Sequence, residues 1–358
     1  MRMYSGRTTL SKFLIEHCHT EQRELAALLI DVAAAVKAIS AMAGKGALAA
    51  PHGPGRGSAQ ESASEQPGLD AAAQESFIEH CEWNGLLAGM ASDEGVRAIG
   101  AAGDLQQGRH LLVFNALDGS SNVETNVCVG SIFSVLRHDG GAPPSPDDYL
   151  QPGVQQVAAG YALYGPSTVM VLTIGRGTHG FTLDREIGNF VLTHPDFSIS
   201  PDACEFAVNV SNERFWEPPI KRYLSECKAG ASGIRGRDFN MRGIASIVAD
   251  AHRILMRGGV YMYPLGARDP RAAGRWRLLH EANPIAFLIE QAGGAASTGR
   301  SRIMEVQPHS LAQRVALIFG SRNEIERIER YHAEFEAGTD KPYDSPLFGE
   351  RSLFRIEA

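Results

Sequence analysis

The sequence has few cysteines and no excess of basic residues. Its five cysteines in 358 residues are widely spaced and include no C-x-x-C pair, which excludes a zinc-ribbon pattern or a disulfide framework. The formal net charge of −7 argues against a nucleic-acid-binding protein whose affinity depends on a basic surface. No apolar run approaches the length of a membrane span, and the N-terminus lacks the pattern of a signal peptide. We therefore expect a cytoplasmic protein without nucleic-acid or membrane partners.

The rest of the composition is typical of a globular protein with a large core. Hydrophobic residues make up 44% and charged residues 21% of the chain, which is long enough for one large domain or two closely packed ones. Recurring apolar residues predict helices over 10–42, 69–90 and 240–256, and a helix with Asn283 as its N-cap. Short apolar runs predict strands over 110–114, 129–136, 157–163, 168–174, 189–193 and 260–263. Strands that alternate with helices predict the α/β class.

The most informative segment is Asn115–Asn122, with the sequence N-A-L-D-G-S-S-N, which directly follows a predicted strand. Asp118 offers carboxylate oxygens to Mg²⁺, and Gly119 lets the backbone approach a ligand closely. Ser120 and Ser121 present hydroxyl and amide donors to phosphate oxygens. The D-G-S-S run alone is also typical of an Asx turn, so the prediction of a metal and phosphate site depends on the rest of the chain.

Several segments of the chain resemble class I fructose-1,6-bisphosphatases. Asn115–Asn122 resembles the metal-binding signature D-P-x-D-G-S-S-N of that family, and Gln151–Gly153, Val157–Gly165 and Glu281–Gly294 resemble further segments in the same order. The resemblance covers nearly all of residues 10–335. It implies the layered α-β-α-β-α sugar-phosphatase fold. It also implies an N-terminal domain over 1–197 with the metal-site loop, a substrate-binding domain over 198–335 and a tail over 336–358.

The resemblance implies a set of metal ligands and two catalytic acids. Carried over position by position, the ligands fall on Asp93, Asn115, the backbone carbonyl of Leu117, Asp118 and Glu281. The catalytic acids fall on Glu94, which helps activate the attacking water, and on Asp70, which helps orient it. Glu281 also fits a first-turn helix acid, and Asp70 also fits an exposed N-cap. Divalent ions held by such carboxylates would position the water and neutralise the charge of the phosphoryl group.

Two of these positions depart from the family. Asp93 stands where the family has glutamate, which keeps the charge but shortens the side chain by one methylene. Asn115 stands where the family has an aspartate that bridges metal ions. An amide is neutral and can turn its NH₂ donors toward a cation, so the site loses one carboxylate. We expect weakened Mg²⁺ binding and a large fall in turnover, with near-complete loss of catalysis as the extreme case.

The resemblance also places substrate-binding residues in both halves of the chain. They fall on Asp118, Gly119, Ser120, Ser121, Asn212, Arg242, Tyr263 and Arg275. Asn212 and Tyr263 match residues that contact the 6-phosphate, and Arg242 matches an arginine that reaches the 6-phosphate of the neighbouring subunit. Arg275 replaces a lysine, and a guanidinium group binds phosphate with a different reach and geometry. Gly243 replaces an aromatic residue, so we expect recognition of the 6-phosphate to differ from that of the family.

The resemblance predicts a phosphoric monoester hydrolase that removes the 1-phosphate of fructose 1,6-bisphosphate, with sedoheptulose 1,7-bisphosphate as a second substrate. The expected cofactor is Mg²⁺, with Mn²⁺ as a substitute, and the expected assembly is a homotetramer. The alternative is a catalytically impaired paralogue that acts as a sugar-phosphate-binding or assembly partner. An inositol-phosphate enzyme is disfavoured by the Q-P-G, A-A-G-Y and E-A-N-P segments. The preferred sugar, effector regulation and the choice between gluconeogenesis and carbon fixation (the Calvin cycle) stay open, although the tail over 344–348 favours carbon fixation.

Overall fold

The computed structural model describes residues 7–19, 22–46, 68–99, 108–139, 142–266 and 273–340. The tail segment over 344–348 lies outside these residues. The first helices are α1 (Leu10–His17), α2 (Arg23–Ala43) and α3 (Leu69–Cys81). The prediction of one helix over 10–42 is wrong, because Cys18 takes an extended conformation that ends α1. The predicted helix over 69–90 ends at Cys81, because the next apolar run is a fully buried strand, which periodicity does not separate from a helix.

Helix α2 contradicts the expectation that no segment reaches the length of a membrane span. By length and composition alone, its 21 residues could cross a membrane. Half of its most apolar window is buried inside the protein, and Leu28, Val32 and Val36 are completely buried in a cluster shared with α3 and the first sheet. Because a helix in a protein core has the same composition, this one helix is weak evidence for a membrane span.

An eight-stranded sheet has the order β2-β1-β3-β4-β5-β6-β7-β8. Its strands are β1 (Leu87–Ser92), β2 (Gly95–Ala98), β3 (His110–Asp118), β4 (Val129–Arg137), β5 (Ala158–Tyr164), β6 (Thr168–Thr173), β7 (His179–Asp184) and β8 (Asn189–His194). β1 and β3 are parallel, and all other neighbours are antiparallel. The five strands predicted between 110 and 193 are confirmed. β1, β2 and β7 were not predicted; β2, for example, is short and largely exposed.

A second sheet has five strands in the order β10-β9-β11-β15-β13. These are β9 (Glu205–Ala207), β10 (Asn240–Met241), β11 (Val260–Tyr263), β13 (Ala295–Ser297) and β15 (Leu317–Gly320). The short strands β12 (Trp276–Arg277) and β14 (Arg314–Val315) pair separately. The remaining α-helices of the described chain are α4 (Pro218–Ala229), α5 (Ile247–Arg257), α6 (Asn283–Gln291) and α7 (Arg322–Glu336).

Three hydrophobic clusters arrange these elements in layers. The first joins α1, α2 and α3 to one face of the eight-stranded sheet. The second joins the other face of that sheet to α5, α6 and the five-stranded sheet. The third packs α4 and α7 against the outer face of the five-stranded sheet. This order confirms the predicted layered α-β-α-β-α sugar-phosphatase fold.

Two helix starts differ from the prediction. α5 begins at Ile247 and not at 240, because Asn240–Met241 pairs as β10 and Ala245 takes a left-handed φ of 61° that a helix does not continue through. Asn283 is the first residue of α6 and not its N-cap, because a π-helical turn over Leu278–Ala282 runs directly into it. Both differences arise next to predicted site residues.

Candidate active site

The acidic loop lies where β3 ends. β3 continues to Asp118, beyond the predicted 110–114, and its pairing with β4 is irregular between Asn115 and Asp118. An irregularity of this kind bends a strand and redirects its side chains. Gly119 then takes a left-handed φ of 74°, and one turn of 3-10 helix begins at Ser120. Ser120 and Ser121 are exposed there, so their hydroxyl groups are accessible to a ligand.

Asp118 is buried against the N-terminus of α5. Its Oδ2 accepts hydrogen bonds from the hydroxyl group of Ser246 at 2.8 Å and from the backbone amide of Val248 at 3.4 Å. Burial raises the pKa of Asp118, and these hydrogen bonds and the charge of Arg275 oppose that rise. Ser246 was not predicted as a site residue, although a serine before an apolar helical pattern is a typical N-cap signal. The orientation of Asp118 therefore depends on the second half of the chain.

Glu281 lies beside Asn115 and close to Asp118. The Nδ2 of Asn115 donates to Oε1 of Glu281 at 3.0 Å, and the backbone amide of Arg277 donates to Oε2 at 2.7 Å. Burial raises the pKa of Glu281, and the negative charge of Asp118 raises it further. The structure thus brings Asn115, Asp118 and Glu281 together, and a cation between the two carboxylates would relieve their repulsion.

Asp93 is held by an arginine that was not predicted from the sequence. Asp93 follows β1, and its carboxylate forms an ion pair with the guanidinium group of Arg277. The side chain of Asp93 is 48% exposed, so the pair is open to solvent and contributes little to stability. Because the amide of Arg277 also donates to Glu281, this one residue connects two acidic positions. Its only signal in the sequence is its position four residues before Glu281.

Asp70 and Glu94 lie within electrostatic reach of each other. Asp70 is in the first turn of α3, and burial, followed by the charge of Glu94, raises its pKa. Glu94 lies between β1 and β2, and its amide donates to the hydroxyl group of Ser92 at 3.2 Å. Gln74 on α3 donates to the same hydroxyl at 2.6 Å and so connects the helix to the turn. The neighbourhood of the two acids agrees with the sequence analysis, while their part in catalysis stays a prediction.

The donor set fits a hard divalent cation, although with less negative charge than the resemblance implied. The buried Asp118 and the half-buried Glu281 offer neighbouring carboxylates, the donors that Mg²⁺ prefers. Asn115 turns its NH₂ group toward Glu281, and Asp93 is paired with arginine. The side chain of Leu117, whose carbonyl is a predicted ligand, is buried in the core. Among the residues that the structure describes, no three His, Cys, Asp or Glu side chains are grouped for metal binding.

A cavity of about 410 Å³ lies beside the acidic site and is lined by Asn212, Tyr263 and Arg275. Its other walls are mostly apolar and include Val208, Phe215, Trp216, Met262, Pro264 and Leu265. The charge of Arg275 lowers the pKa of Asp118, and the charge of Glu281 acts on Arg275 in turn. The cavity and the acidic site are therefore neighbours, and together they hold most of the predicted substrate residues.

Arg242 does not line this cavity. Its side chain is 54% exposed and forms an ion pair with Glu205 at 2.9 Å. A Cβ at Gly243 would lie 3.7 Å from the Cβ of Ala207, an ordinary contact, so packing does not require glycine there. The role of Arg242 toward a neighbouring subunit stays a prediction.

The layered fold and the acidic, hydroxyl-bearing loop beside a cavity lined by arginine define a sugar-phosphate phosphatase of the α/β class. Two family models match the chain, the N-terminal domain of fructose-1-6-bisphosphatase over residues 8–195 and the C-terminal domain over 199–333. The chain belongs to the fructose-1,6-bisphosphatase family.

Known relatives match the chain along nearly its whole length. A class 1 fructose-1,6-bisphosphatase of Methylibium petroleiphilum is 52% identical over 357 residues, which is 98% of each chain. That of Hydrogenophilus thermoluteolus is 51% identical over 353 residues, again 98% of each. The structure of Leishmania major fructose-1,6-bisphosphatase in holo form aligns with a TM-score of 0.81 at 33% identity, over 92% of this chain and 99% of that one. These matches confirm the family inferred from the sequence motifs, and the relatives are phosphoric monoester hydrolases by name.

Proposed function

We propose that this chain is a Mg²⁺-dependent fructose-1,6-bisphosphatase that releases the 1-phosphate of fructose 1,6-bisphosphate, with Mn²⁺ as a substitute. The observation that carries the proposal is a pair of neighbouring carboxylates, the buried Asp118 and the half-buried Glu281, next to a cavity lined by Arg275. An acidic cation site beside a cavity with a guanidinium group suits a sugar with a phosphate at each end. Relatives of this name at 52% and 51% identity support the same substrate.

The two ends of the substrate meet different side chains. Arg275, Tyr263 and Asn212 bind the 6-phosphate, because guanidinium, hydroxyl and amide groups donate to phosphate oxygens. Ser120 and Ser121 are exposed beside the acidic site and donate to the 1-phosphate. The sugar is thereby held with its 1-phosphate at the carboxylates, so the 1-phosphate is the group that is released.

Asp118, Glu281 and the carbonyl of Leu117 would hold the metal ion, and Asn115 would add its Oδ1 as a neutral ligand once the amide rotates. A bound divalent ion would neutralise charge on the phosphoryl group and on the leaving oxygen. Reduced carboxylate charge at position 115 supports weaker metal binding than in the usual family member.

Glu94 accepts a proton from the attacking water, and Asp70 orients it. Burial, followed by the negative charge of Glu94, raises the pKa of Asp70, so the two acids lie within electrostatic reach of each other at the site. A carboxylate placed beside the attacking water can serve as its general base, and a neighbouring acid can orient that water.

A second candidate function is favoured by the hydrogen bond from Asn115 to Glu281. This neutral donor satisfies Glu281 at 3.0 Å without a cation, so a chain that has lost metal binding would still fold. It would then act as a sugar-phosphate-binding or assembly partner of an active copy.

We also propose a cytoplasmic homotetramer without nucleic-acid or membrane partners, with sedoheptulose 1,7-bisphosphate as a second substrate and a role in carbon fixation. An assembly of at least two subunits is supported by Arg242, which is 54% exposed and lies outside the cavity of its own chain. Light scattering of the purified protein gives the subunit number, and the ratio of kcat/KM for the two bisphosphates gives the sugar preference.

The decisive experiment measures phosphate release from fructose 1,6-bisphosphate across Mg²⁺ and Mn²⁺ titrations, with calorimetric binding of fructose 6-phosphate in parallel. We expect release of one phosphate and formation of fructose 6-phosphate, and we expect Glu94→Gln to abolish release while binding persists. Binding without release at any metal concentration would favour the second candidate function. Absence of both binding and release would refute the proposal.

A further inference from the structure

We infer that Trp276 is a positioning residue that holds the guanidinium group of Arg275 at the cavity and away from the carboxylates of the acidic site. The inference rests on the proposed function, because it concerns how the same site takes the 6-phosphate. Trp276 is not among the cavity-lining residues, so it acts through Arg275 and not by contact with the substrate.

Arg275 lies against two neighbouring aromatic rings. Its Cζ is 5.3 Å from the ring centroid of Trp276 and 5.4 Å from that of Tyr263. The two rings meet edge to face, with centroids 6.2 Å apart and planes at 79°. Arg275 also forms a hydrogen bond with the side chain of Tyr263. A guanidinium group within about 6 Å of an aromatic ring is attracted to it, so two surfaces restrict the position of this cation.

The ring of Trp276 is itself anchored in the second sheet. It is 8% exposed, and its centroid lies 6.3 Å from that of Tyr261, which stacks on Phe319 of β15 at 4.9 Å. The backbone of Trp276 pairs with Val315 between β12 and β14. A ring that is already fixed by its own contacts can orient a flexible side chain, because only the flexible side chain loses conformational freedom.

Without this restraint Arg275 has a second attractive position. The charges of Asp118 and Glu281 both act on it, so a free guanidinium group would shift toward these carboxylates and compete with a cation there. Held against the rings at the wall of the cavity, its planar fork can bind a phosphate bidentately. Lysine, which the family has at this position, is a point charge on a flexible stem and gains less from a flanking ring. Arginine and tryptophan therefore act as a pair in this chain.

The test compares Trp276→Leu with the ring-retaining control Trp276→Phe, each in the native and in the Arg275→Lys background. The readouts are the Kd of fructose 6-phosphate by calorimetry, and KM and kcat for fructose 1,6-bisphosphate. We expect Trp276→Leu to raise Kd and KM about five- to tenfold with kcat within about twofold, and Trp276→Phe to stay within about twofold of native. In the Arg275→Lys background, we expect Trp276→Leu to change Kd by less than about twofold.

Two results would overturn the inference. One is native affinity in Trp276→Leu, and the other is the same loss of affinity in both backgrounds, which would mean a packing role only. Thermal melting checks each fold, and Trp276→Met replaces the leucine variant if that variant does not melt cooperatively. Absence of both binding and turnover in the native chain would instead refute the proposed function, so the two failures are distinguishable.

Discussion

The substitution Asn115→Asp restores the missing carboxylate and has opposite effects with and without metal. In the metal-free protein it replaces a donor that lies 3.0 Å from Oε1 of Glu281 by a second negative charge. Loss of a hydrogen bond to a charged group costs about 1.5–3 kcal/mol. Repulsion between charges about 4 Å apart adds up to about 4 kcal/mol at an effective dielectric constant of 20. Protonation of Glu281, whose pKa burial already raises, limits this cost, so we expect a net loss of about 2–4 kcal/mol.

The assay is thermal melting of the full chain with and without Mg²⁺, together with the Mg²⁺ concentration that gives half-maximal activity. At roughly 2 °C per kcal/mol, the metal-free variant should melt about 4–8 °C below the native chain. Saturating Mg²⁺ should remove most of this difference, because the cation neutralises the facing carboxylates. The half-maximal Mg²⁺ concentration should fall about tenfold or more, since each tenfold corresponds to about 1.4 kcal/mol of additional binding.

A matched control adds one carboxylate outside the site. Gln155 is an exposed amide, so Gln155→Glu should leave both the melting temperature and the Mg²⁺ response of the native chain unchanged. If Asn115→Asp melts like the native chain without metal and requires the same Mg²⁺ concentration, Asn115 does not face the cation, and the assignment of the metal site is wrong.

Three further predictions concern the N-cap beside Asp118, the protonation of the site and a buried ion pair on the outer helix α7. Ser246→Ala removes both the hydrogen-bond donor to Asp118 and the N-cap of α5, so it should lower the free energy of unfolding by about 2 kcal/mol and weaken Mn²⁺ binding. Ser246→Thr keeps the hydroxyl group and should retain the stability and the Mn²⁺ affinity. Equal Mn²⁺ affinity in the native chain and both variants would contradict this prediction. Burial raises the pKa values of Asp118 and Glu281 above the ordinary values of 3.8 and 4.5, so the native state binds these protons more tightly than the unfolded state does. The stability of the metal-free protein should therefore fall as the pH rises from the ordinary pKa values through the raised pKa values of the native state. Saturating Mg²⁺ should make the melting temperature less dependent on pH over this range. A melting temperature of the metal-free protein that instead rises with pH over the same range would refute the burial argument. Glu324→Gln should lower the free energy of unfolding by about 3–5 kcal/mol, because Glu324 is buried and ion-paired with two arginines. The control Glu326→Gln changes an exposed glutamate on the same helix and should cost under about 0.5 kcal/mol. Similar losses in the two variants would show that burial is not the cause.

The parts of the fold that follow from local pattern were predictable from the sequence. The strands between 110 and 193 have apolar runs of ordinary strand length, and their positions are confirmed. The strand β1 was mistaken for helix, because residues 87–92 are buried on both faces and have no alternating pattern. The break between α1 and α2 depends on the extended conformation at Cys18, and the preceding apolar spacing gives no sign of it.

The contacts that build the site were less predictable, because they join residues far apart in the chain. Ser246 lies 128 residues from Asp118, and Glu281 lies 166 residues from Asn115. The sequence alone shows that position 115 lacks a carboxylate. That its amide finds a hydrogen-bond acceptor in Glu281 follows only from the packing of the two sheets around α5 and α6.

The segment Arg275-Trp276-Arg277 places two positive charges beside the acidic positions of the site. Arg275 and Arg277 flank the buried Trp276, and each guanidinium group acts on an acidic position of the site. Arg275 acts on Asp118 from the cavity, and Arg277 pairs with Asp93 and donates its amide to Glu281. A divalent ion would have to compete with Arg277 for Asp93, whereas Arg275 is retained against its two neighbouring rings. Metal affinity in this chain therefore depends on Arg277 as well as on Asn115, and a substitution at either position should change the response to Mg²⁺ independently of binding at the 6-phosphate cavity.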